Sequence, residues 1–308
     1  MTLRSDHPDM IRGALIVLVV WGHLLELNGF NGRLYFAIYL FHIPAFTMIS
    51  GMFSKSRLDA KDISRMCRRL VLPLVIFQVL YFVVLDQVLP HRVFGLLTPV
   101  WIIWFLFSLV TWKLLLPLAL RLSHPVLVAF FVALIAGFMD DIGREFSLSR
   151  TLVFFPAFLI GHIYGERILS AAIRHRAVLI GLFVVLVCAA FVAADHVNIR
   201  WLWGSHPYVR IPQDTPGVFF RAVSIVLGIV ASVAFFAVVP ARSSSLARLG
   251  RHTMPVFLLH GFPVIFFWLS GLQLGQSLLF ASATAVTALA ISISIAWGAQ
   301  LWSAMCSS

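Results

Sequence analysis

The segment from Met10 to Gly29 is almost entirely apolar, yet it contains three ionisable residues, Arg12, His23 and Glu26. On an α-helix these residues and Asp9 fall within an arc of roughly 100°, and Arg12 and His23 lie about 16 Å apart along the axis. An ionisable group is expensive in hydrocarbon unless it faces protein, water or a partner. We therefore expect this polar stripe to face the interior of a helical bundle.

The residue types in the stripe suit a transfer reaction. Histidine is the usual general base near neutral pH, and it can take the proton of a hydroxyl that attacks a thioester. Arginine is the usual ligand for phosphate, so the pair suits a long anionic donor such as an acyl-CoA. Each residue also has a simpler interpretation: Arg12 at the membrane interface, His23 as an interhelical hydrogen bonder, and Glu26 at the outer water interface.

The rest of the chain predicts the helices that must position these residues. Of its 308 residues 61% are hydrophobic and only 11% are charged, and the mean hydropathy is +0.97, which excludes an ordinary soluble domain. The pattern predicts an all-α, polytopic integral membrane protein. The length criterion gives about ten transmembrane helices, near residues 10–29, 34–53, 70–89, 100–120, 125–139, 150–166, 177–195, 217–239, 254–270 and 277–301.

Charged residues in the loops predict the orientation. The segment after the second helix holds six basic residues against two acidic ones: Lys55, Arg57, Lys61, Arg65, Arg68 and Arg69 against Asp59 and Asp62. By the positive-inside rule this segment is cytoplasmic, and so are both termini. The same rule accounts for the net charge of +11, so we expect no nucleic-acid partner.

Several blocks of the sequence, taken in order, resemble the acyltransferase 3 family, and within it the fucose 4-O-acetylase-like branch. The opening "DMIRGALIVLVVWGH" has the family hallmark of an arginine, ten residues and a histidine, here Arg12 and His23. The segment "LYFAIYLFHIPAFTMISGMFSK" resembles the second-helix motif with His42 and Pro44. Further similar blocks are "SRMCRRLVLPLVIFQVLY", "PVWIIWFLFSLVTWKLLLP", "LVFFPAFLIGHIYG" and "LGRHTMPVFLLHG".

The resemblance implies a membrane acyltransferase domain, which here fills residues 1–308. Many members of the family carry an additional soluble domain, but the predicted spans leave no room for one, so we expect none. It implies O-acyl transfer from cytoplasmic acyl-CoA, usually acetyl-CoA, to a sugar hydroxyl of a glycan, glycolipid or lipo-oligosaccharide. His23 and Arg12 would be catalytic, and Arg12 would also bind the donor, together with Arg65, Arg68 and Arg69. The candidate substrate contacts are Glu26, His42 and His260. The implied location is the cell inner membrane, and a separate periplasmic partner protein is an open expectation.

Other interpretations stay open at this stage. A transporter or flippase of a glycan or lipid-linked substrate also has many helices and intramembrane charges, and a membrane scaffold without turnover fits the composition as well. The loop from Asp195 to Pro216, rich in Trp, His and Arg, suits either a sugar platform or a plain interfacial loop. The spacing of Cys67, Cys188 and Cys306 predicts neither a disulfide nor a metal site.

Overall fold

The structure is a computed structural model of the 308-residue chain. It describes residues 6–27, 32–88, 98–212, 216–240, 242–270 and 278–305, and all its regular elements in these ranges are helical. The α-helices are α1 (His7–Leu27), α2 (Arg33–Met52), α3 (Ala60–Met66), α4 (Leu72–Val88), α5 (Trp104–Ala119), α6 (Pro125–Ile135), α7 (Leu148–Arg174), α8 (Arg176–Ala193), α9 (Arg200–Trp203), α10 (Gly217–Val238), α11 (Ser244–Arg251), α12 (Thr253–Leu259), α13 (Gly261–Leu269) and α14 (Leu278–Met305).

The fold is that of a polytopic membrane protein, as predicted. Within the described residues, eight helices are long and apolar enough to cross a bilayer. A ninth span results if Ser244–Arg251 and Thr253–Leu269, which meet at a 62° bend, are counted as one. Pro125–Phe138 is a shorter apolar helix. The count of ten spans and the cytoplasmic termini stay predictions, and residues 28–29, 89, 271–277 and 306–308 lie outside the described ranges.

The basic segment after α2 is largely helical. Asp59 caps α3, since its side chain accepts the backbone N–H of Asp62 at 2.6 Å while the Asp62 side chain faces the Asp59 N–H in a capping box. The helix continues through a π-helical stretch, Cys67–Val71, into α4, so one helix covers Ala60–Val88. It begins earlier than the span predicted at 70–89, because the capping box adds a polar start to the apolar run.

Contacts divide the chain into two compact units. Unit 1 comprises Met1–Phe46, Arg167–His196 and Val230–Ser308, and unit 2 comprises Thr47–Glu166 and Val197–Ile229. In unit 2, Gly51 of α2 and Gly161 of α7 lie against each other's helix: a Cβ at Gly51 would collide with the Phe158 backbone, and one at Gly161 with the Met48 backbone. Small residues thus permit close helix packing, as is typical of membrane proteins.

In unit 1, α1 packs directly against α11. A Cβ at Gly13 would collide with the backbone carbonyl of Leu246, and a Cβ at Gly250 would collide with the backbone of Asp9. These two glycines let the backbones of the two helices approach closely beside Arg12. The close contact fixes the end of α1 that carries Arg12.

We expect Gly250→Ala to destabilise the protein by about 1–3 kcal/mol, because the added methyl group must displace α1 from α11. Thermal unfolding of the purified protein in detergent measures this. Gly298→Ala in α14 is the matched control, since a Cβ there meets open space and alanine favours a helix. Equal unfolding temperatures for the two variants would contradict the close packing.

Candidate active site

The polar stripe on α1 consists of two pairs of neighbouring side chains. Near the start of the helix, Arg12 Nη1 donates to Asp9 Oδ1 at 3.1 Å, and the two side chains are 23% and 18% exposed. Near its end, His23 pairs with Glu26, and these side chains are 14% and 30% exposed. Each pair lies one helical turn apart, which is the spacing at which side chains meet. Pairing lowers the cost of placing these groups in a membrane helix.

The His23–Glu26 contact defines the chemistry of the imidazole. His23 Nδ1 lies 2.9 Å from Glu26 Oε2. A carboxylate only accepts hydrogen bonds, so Nδ1 carries the proton and donates it. The lone pair of the neutral ring then resides on Nε2, which is the basic nitrogen. A histidine oriented in this way by a carboxylate is the usual arrangement of a general base.

Tyr39 of α2 joins this pair, although it is not among the site residues predicted from the sequence. Its hydroxyl donates to Glu26 Oε2 at 3.4 Å. Its ring meets His42 edge to face, with the ring centroids 4.6 Å apart. Tyr39 and His42 are three residues apart on one helix, so a search for polar residues on the face of α2 that carries His42 would have found it.

His42 and His260 are the two fully buried histidines of this cluster. His42 Nδ1 donates to the Ile38 carbonyl at 2.7 Å, and its ring contacts Tyr39. His260 lies between α12 and α13, and its ring stacks on that of His23 with the centroids 5.5 Å apart. The structure therefore brings together four of the predicted site residues, namely His23, Glu26, His42 and His260.

His260 contains a buried nitrogen with an unmet hydrogen-bonding capacity. Its Nδ1 lies 3.0 Å from the Val256 carbonyl and 2.8 Å from the Phe257 carbonyl. Carbonyls only accept, so Nδ1 is the donor and Nε2 carries the lone pair. Within the described residues Nε2 is buried and has no hydrogen-bond partner. Buried polar atoms without a partner are uncommon and point to a ligand or an ordered water.

The other predicted donor-binding residues lie in unit 2, on the helix that begins at Ala60. Arg65 pairs with the buried Asp62 at 3.3 Å, and Arg68 donates to Ser64 Oγ at 3.0 Å. Arg69 is exposed and, within the described part of the chain, has no hydrogen-bond or ion-pair partner. Arg68 and Arg69 lie in the π-helical stretch, a conformation that is frequent at functional sites.

Two further features of the described residues bear on cofactors. No group of three or more His, Cys, Asp or Glu side chains among them is arranged to hold a metal ion. Cys67 and Cys188 are exposed and free, and Cys306 lies outside the described ranges. The candidate site is therefore built from histidine, carboxylate, phenol and guanidinium groups.

The apolar helices and the buried polar cluster in unit 1 define a multi-pass membrane protein with a histidine-centred site. Comparison with protein families gives a match of residues 6–297 to the acyltransferase domain of the acyltransferase 3 family. The chain belongs to this family and is a membrane acyltransferase. No match was found among curated proteins or among solved structures.

Proposed function

We propose that the protein transfers an acyl group, in the first instance acetyl, from cytoplasmic acyl-CoA to a hydroxyl of a cell-envelope or secreted glycan. The observation that carries this proposal is the oriented base: His23 Nδ1 donates to Glu26 Oε2 at 2.9 Å on the helix that also carries Arg12. The proposed acceptor is a polysaccharide, glycolipid or lipo-oligosaccharide, and the proposed location is the inner membrane, where donor and acceptor meet across one bilayer.

His23 is the general base of the proposed reaction. Its Nε2 takes the proton of the acceptor hydroxyl as the oxygen attacks the carbonyl carbon of the thioester. The carbon–sulfur bond then breaks, the thiolate of CoA leaves, and the proton passes from His23 to the sulfur. The products are the ester and free CoA. Glu26 stabilises the imidazolium ion between these two steps, and Tyr39 orients the carboxylate.

His260 is the proposed contact to the acceptor, and His42 is a positioning residue beside it. The Nε2 atom of His260 needs a hydrogen-bond donor, and a sugar hydroxyl supplies one. Because the His260 ring stacks on His23, a hydroxyl held there lies beside the base. His42 holds Tyr39 through the contact between their rings, and so it supports Glu26 from α2. The proposed site therefore binds a polyhydroxylated molecule.

Arg12 of unit 1 is a proposed contact to the donor; the basic residues of unit 2 are further candidates, on their chemistry and the family resemblance alone. CoA carries several phosphate groups, which guanidinium groups bind in a bidentate manner. Arg69 is the strongest candidate of the basic segment, since Arg65 and Arg68 already bond within their own helix. Arg12 lies near the start of α1 and His23 near its end, so the donor's thioester reaches the base along this helix. A separate periplasmic protein is proposed only as an aid in presenting the acceptor.

Binding of acetyl-CoA to the purified protein in nanodiscs tests the donor assignment. We expect Arg12→Ala and Arg69→Ala each to weaken binding by about 5–50-fold, because each removes charge-assisted hydrogen bonds to phosphate. Arg57→Ala is the matched control, an exposed arginine of the same basic segment. Arg12→Lys separates two effects, because lysine keeps a positive charge that can pair with Asp9 but lacks the guanidinium group that binds phosphate in a bidentate manner. A folded wild-type protein that binds no acyl-CoA would overturn the proposed donor.

A further inference from the structure

One end of unit 2 concentrates arginine residues that the proposed reaction does not use. The residues come from the segment before α7, from the first turn of α7, from the stretch between α8 and α10, and from the second turn of α10. We refer to this set as the arginine cluster; it consists of Arg144, Arg150, Arg200, Arg210 and Arg221. The positive-inside rule does not account for it, because it lies at the ends of these helices that the loop charges predict to be external.

Aromatic rings and backbone carbonyls hold the cluster together. The Arg150 guanidinium lies 4.6 Å from the centre of the Trp104 ring, and its Nε donates to the Trp203 carbonyl at 3.2 Å. Arg200 Nη1 donates to the Arg210 carbonyl at 3.2 Å. These contacts, to an aromatic ring and to carbonyl oxygens, order the guanidinium groups. Trp203 also belongs to this region: its indole is half-buried, and the centre of its ring lies 6.3 Å from the centre of the His206 ring.

Arg221 is the most buried cation of the cluster. It is 3% exposed, on an apolar helix of a membrane protein. It donates to the Ala133 carbonyl at 3.1 Å and to the His206 carbonyl at 2.5 Å, and it lies 4.6 Å from the centre of the Tyr208 ring. No carboxylate among the described residues pairs with it. Uncompensated cations at such positions are costly and usually mark a function.

The electrostatic environment of His206 shows that the arginines act together. Burial, and after it the charges of Arg144, Arg200, Arg150 and Arg210, together lower the pKa of the His206 imidazole to about 4. Three acidic residues lie in the segment between α6 and α7, and within the described structure they form no ion pair; they are Asp140, Asp141 and Glu145. The region therefore has a positive potential that an anion can lower.

We propose that the arginine cluster is a binding site for the oxyanion of an acidic saccharide, either a phosphate or a carboxylate, with the sugar ring against Trp203. Guanidinium groups bind both oxyanions with paired hydrogen bonds, and an indole offers an apolar face beside a polar edge. The inference rests on the proposed function in so far as the saccharide is the acceptor. It then assigns the acceptor to the anionic glycans.

Binding of trigalacturonic acid to the protein in phosphatidylcholine nanodiscs tests the site. We expect the acidic trisaccharide to bind at least tenfold more tightly than a neutral trisaccharide, with an affinity that falls as salt rises. The double variant Arg200→Gln/Arg210→Gln should lose at least tenfold in this affinity. Both side chains are exposed and neither pairs with an acid, so the variant should fold. Arg57→Gln/Lys61→Gln is the charge-matched control, because it also removes two exposed positive charges of unit 2.

Three outcomes overturn the inference. The first is equal affinity for the acidic and the neutral trisaccharide, and the second is equal affinity of the wild type and the double variant. The third is selective retention of phosphatidylglycerol by the wild type, lost in the double variant, without saccharide binding; the site would then hold a lipid phosphate. Acetyl-CoA binding, measured in the same samples, tests the proposed function separately. A protein that binds the acidic saccharide selectively but does not bind acetyl-CoA would support the saccharide site at the arginine cluster and refute the proposed donor.

Discussion

His23→Ala is expected to lower the rate of acyl transfer by about 10²–10⁴-fold, the range that a positioned general base contributes. The physical reason is the tautomer of the imidazole. Because the Nδ1–H group donates a hydrogen bond to Glu26, the lone pair that accepts a proton is on Nε2, and alanine removes this nitrogen. The measurement is the release of free CoA from acetyl-CoA in the presence of the acceptor. Acetyl-CoA affinity should change little, since the loss concerns the transition state.

A structural effect of the substitution is separable from the chemical one. His175→Ala is the matched control, because His175 is an exposed histidine between α7 and α8 whose side chain makes no capping bond. Added imidazole should restore part of the activity of His23→Ala and none of that of a misfolded protein. Transfer within tenfold of the wild type, in a folded His23→Ala protein, would refute the assignment of the base.

The helices and the polar stripe of α1 follow from local sequence patterns. Apolar runs of bilayer length predict the spans, and the turn spacing of Asp9 and Arg12, or of His23 and Glu26, predicts that these side chains meet. Such features depend on residues close together in the chain. The start of α3 ahead of the apolar run could also have been predicted, because Asp59 and Asp62 have the capping-box spacing.

The contacts that assemble the site could not be predicted from the sequence in the same way. His23 stacks on His260, which lies near the other end of the chain, and Tyr39 reaches Glu26 from a different helix. Such contacts depend on which helix faces pack together, and hydrophobic periodicity does not determine that choice when the membrane-spanning helices are largely apolar on all sides. Gly13 and Gly250 mark one of the packed faces, yet each is an ordinary membrane-helix glycine until its neighbour is known.

The two groups of arginine residues in unit 2 differ in their acidic partners. In the basic segment Arg65 pairs with Asp62, and Lys55 lies 2.7 Å from the same carboxylate, so part of the positive charge is balanced locally. In the arginine cluster, Arg200, Arg210 and Arg221 have no acidic partner among the described residues. The first group therefore has part of its charge balanced within the chain, whereas the second offers its guanidinium groups to the anion that we propose it binds.

Glu26→Gln is expected to lower the turnover number by about 10–100-fold while leaving acetyl-CoA affinity unchanged. Glutamine lacks the charge that stabilises the imidazolium ion. Its amide can also donate to Nδ1, which would move the ring proton to Nε2 and disable the base. Because the Glu26 side chain is 30% exposed, water replaces part of the lost interaction, and the effect should be smaller than that of His23→Ala.

Tyr39→Phe is the graded comparison for this prediction. The bond from its hydroxyl to Glu26 is long, 3.4 Å, so its loss should cost less than tenfold in turnover. The order of effects, His23→Ala above Glu26→Gln above Tyr39→Phe, is the signature of a base oriented by a carboxylate that is itself held by a phenol. A Glu26→Gln protein with wild-type turnover would instead make Glu26 a residue of the outer water interface, and His23 would have to act without a carboxylate partner.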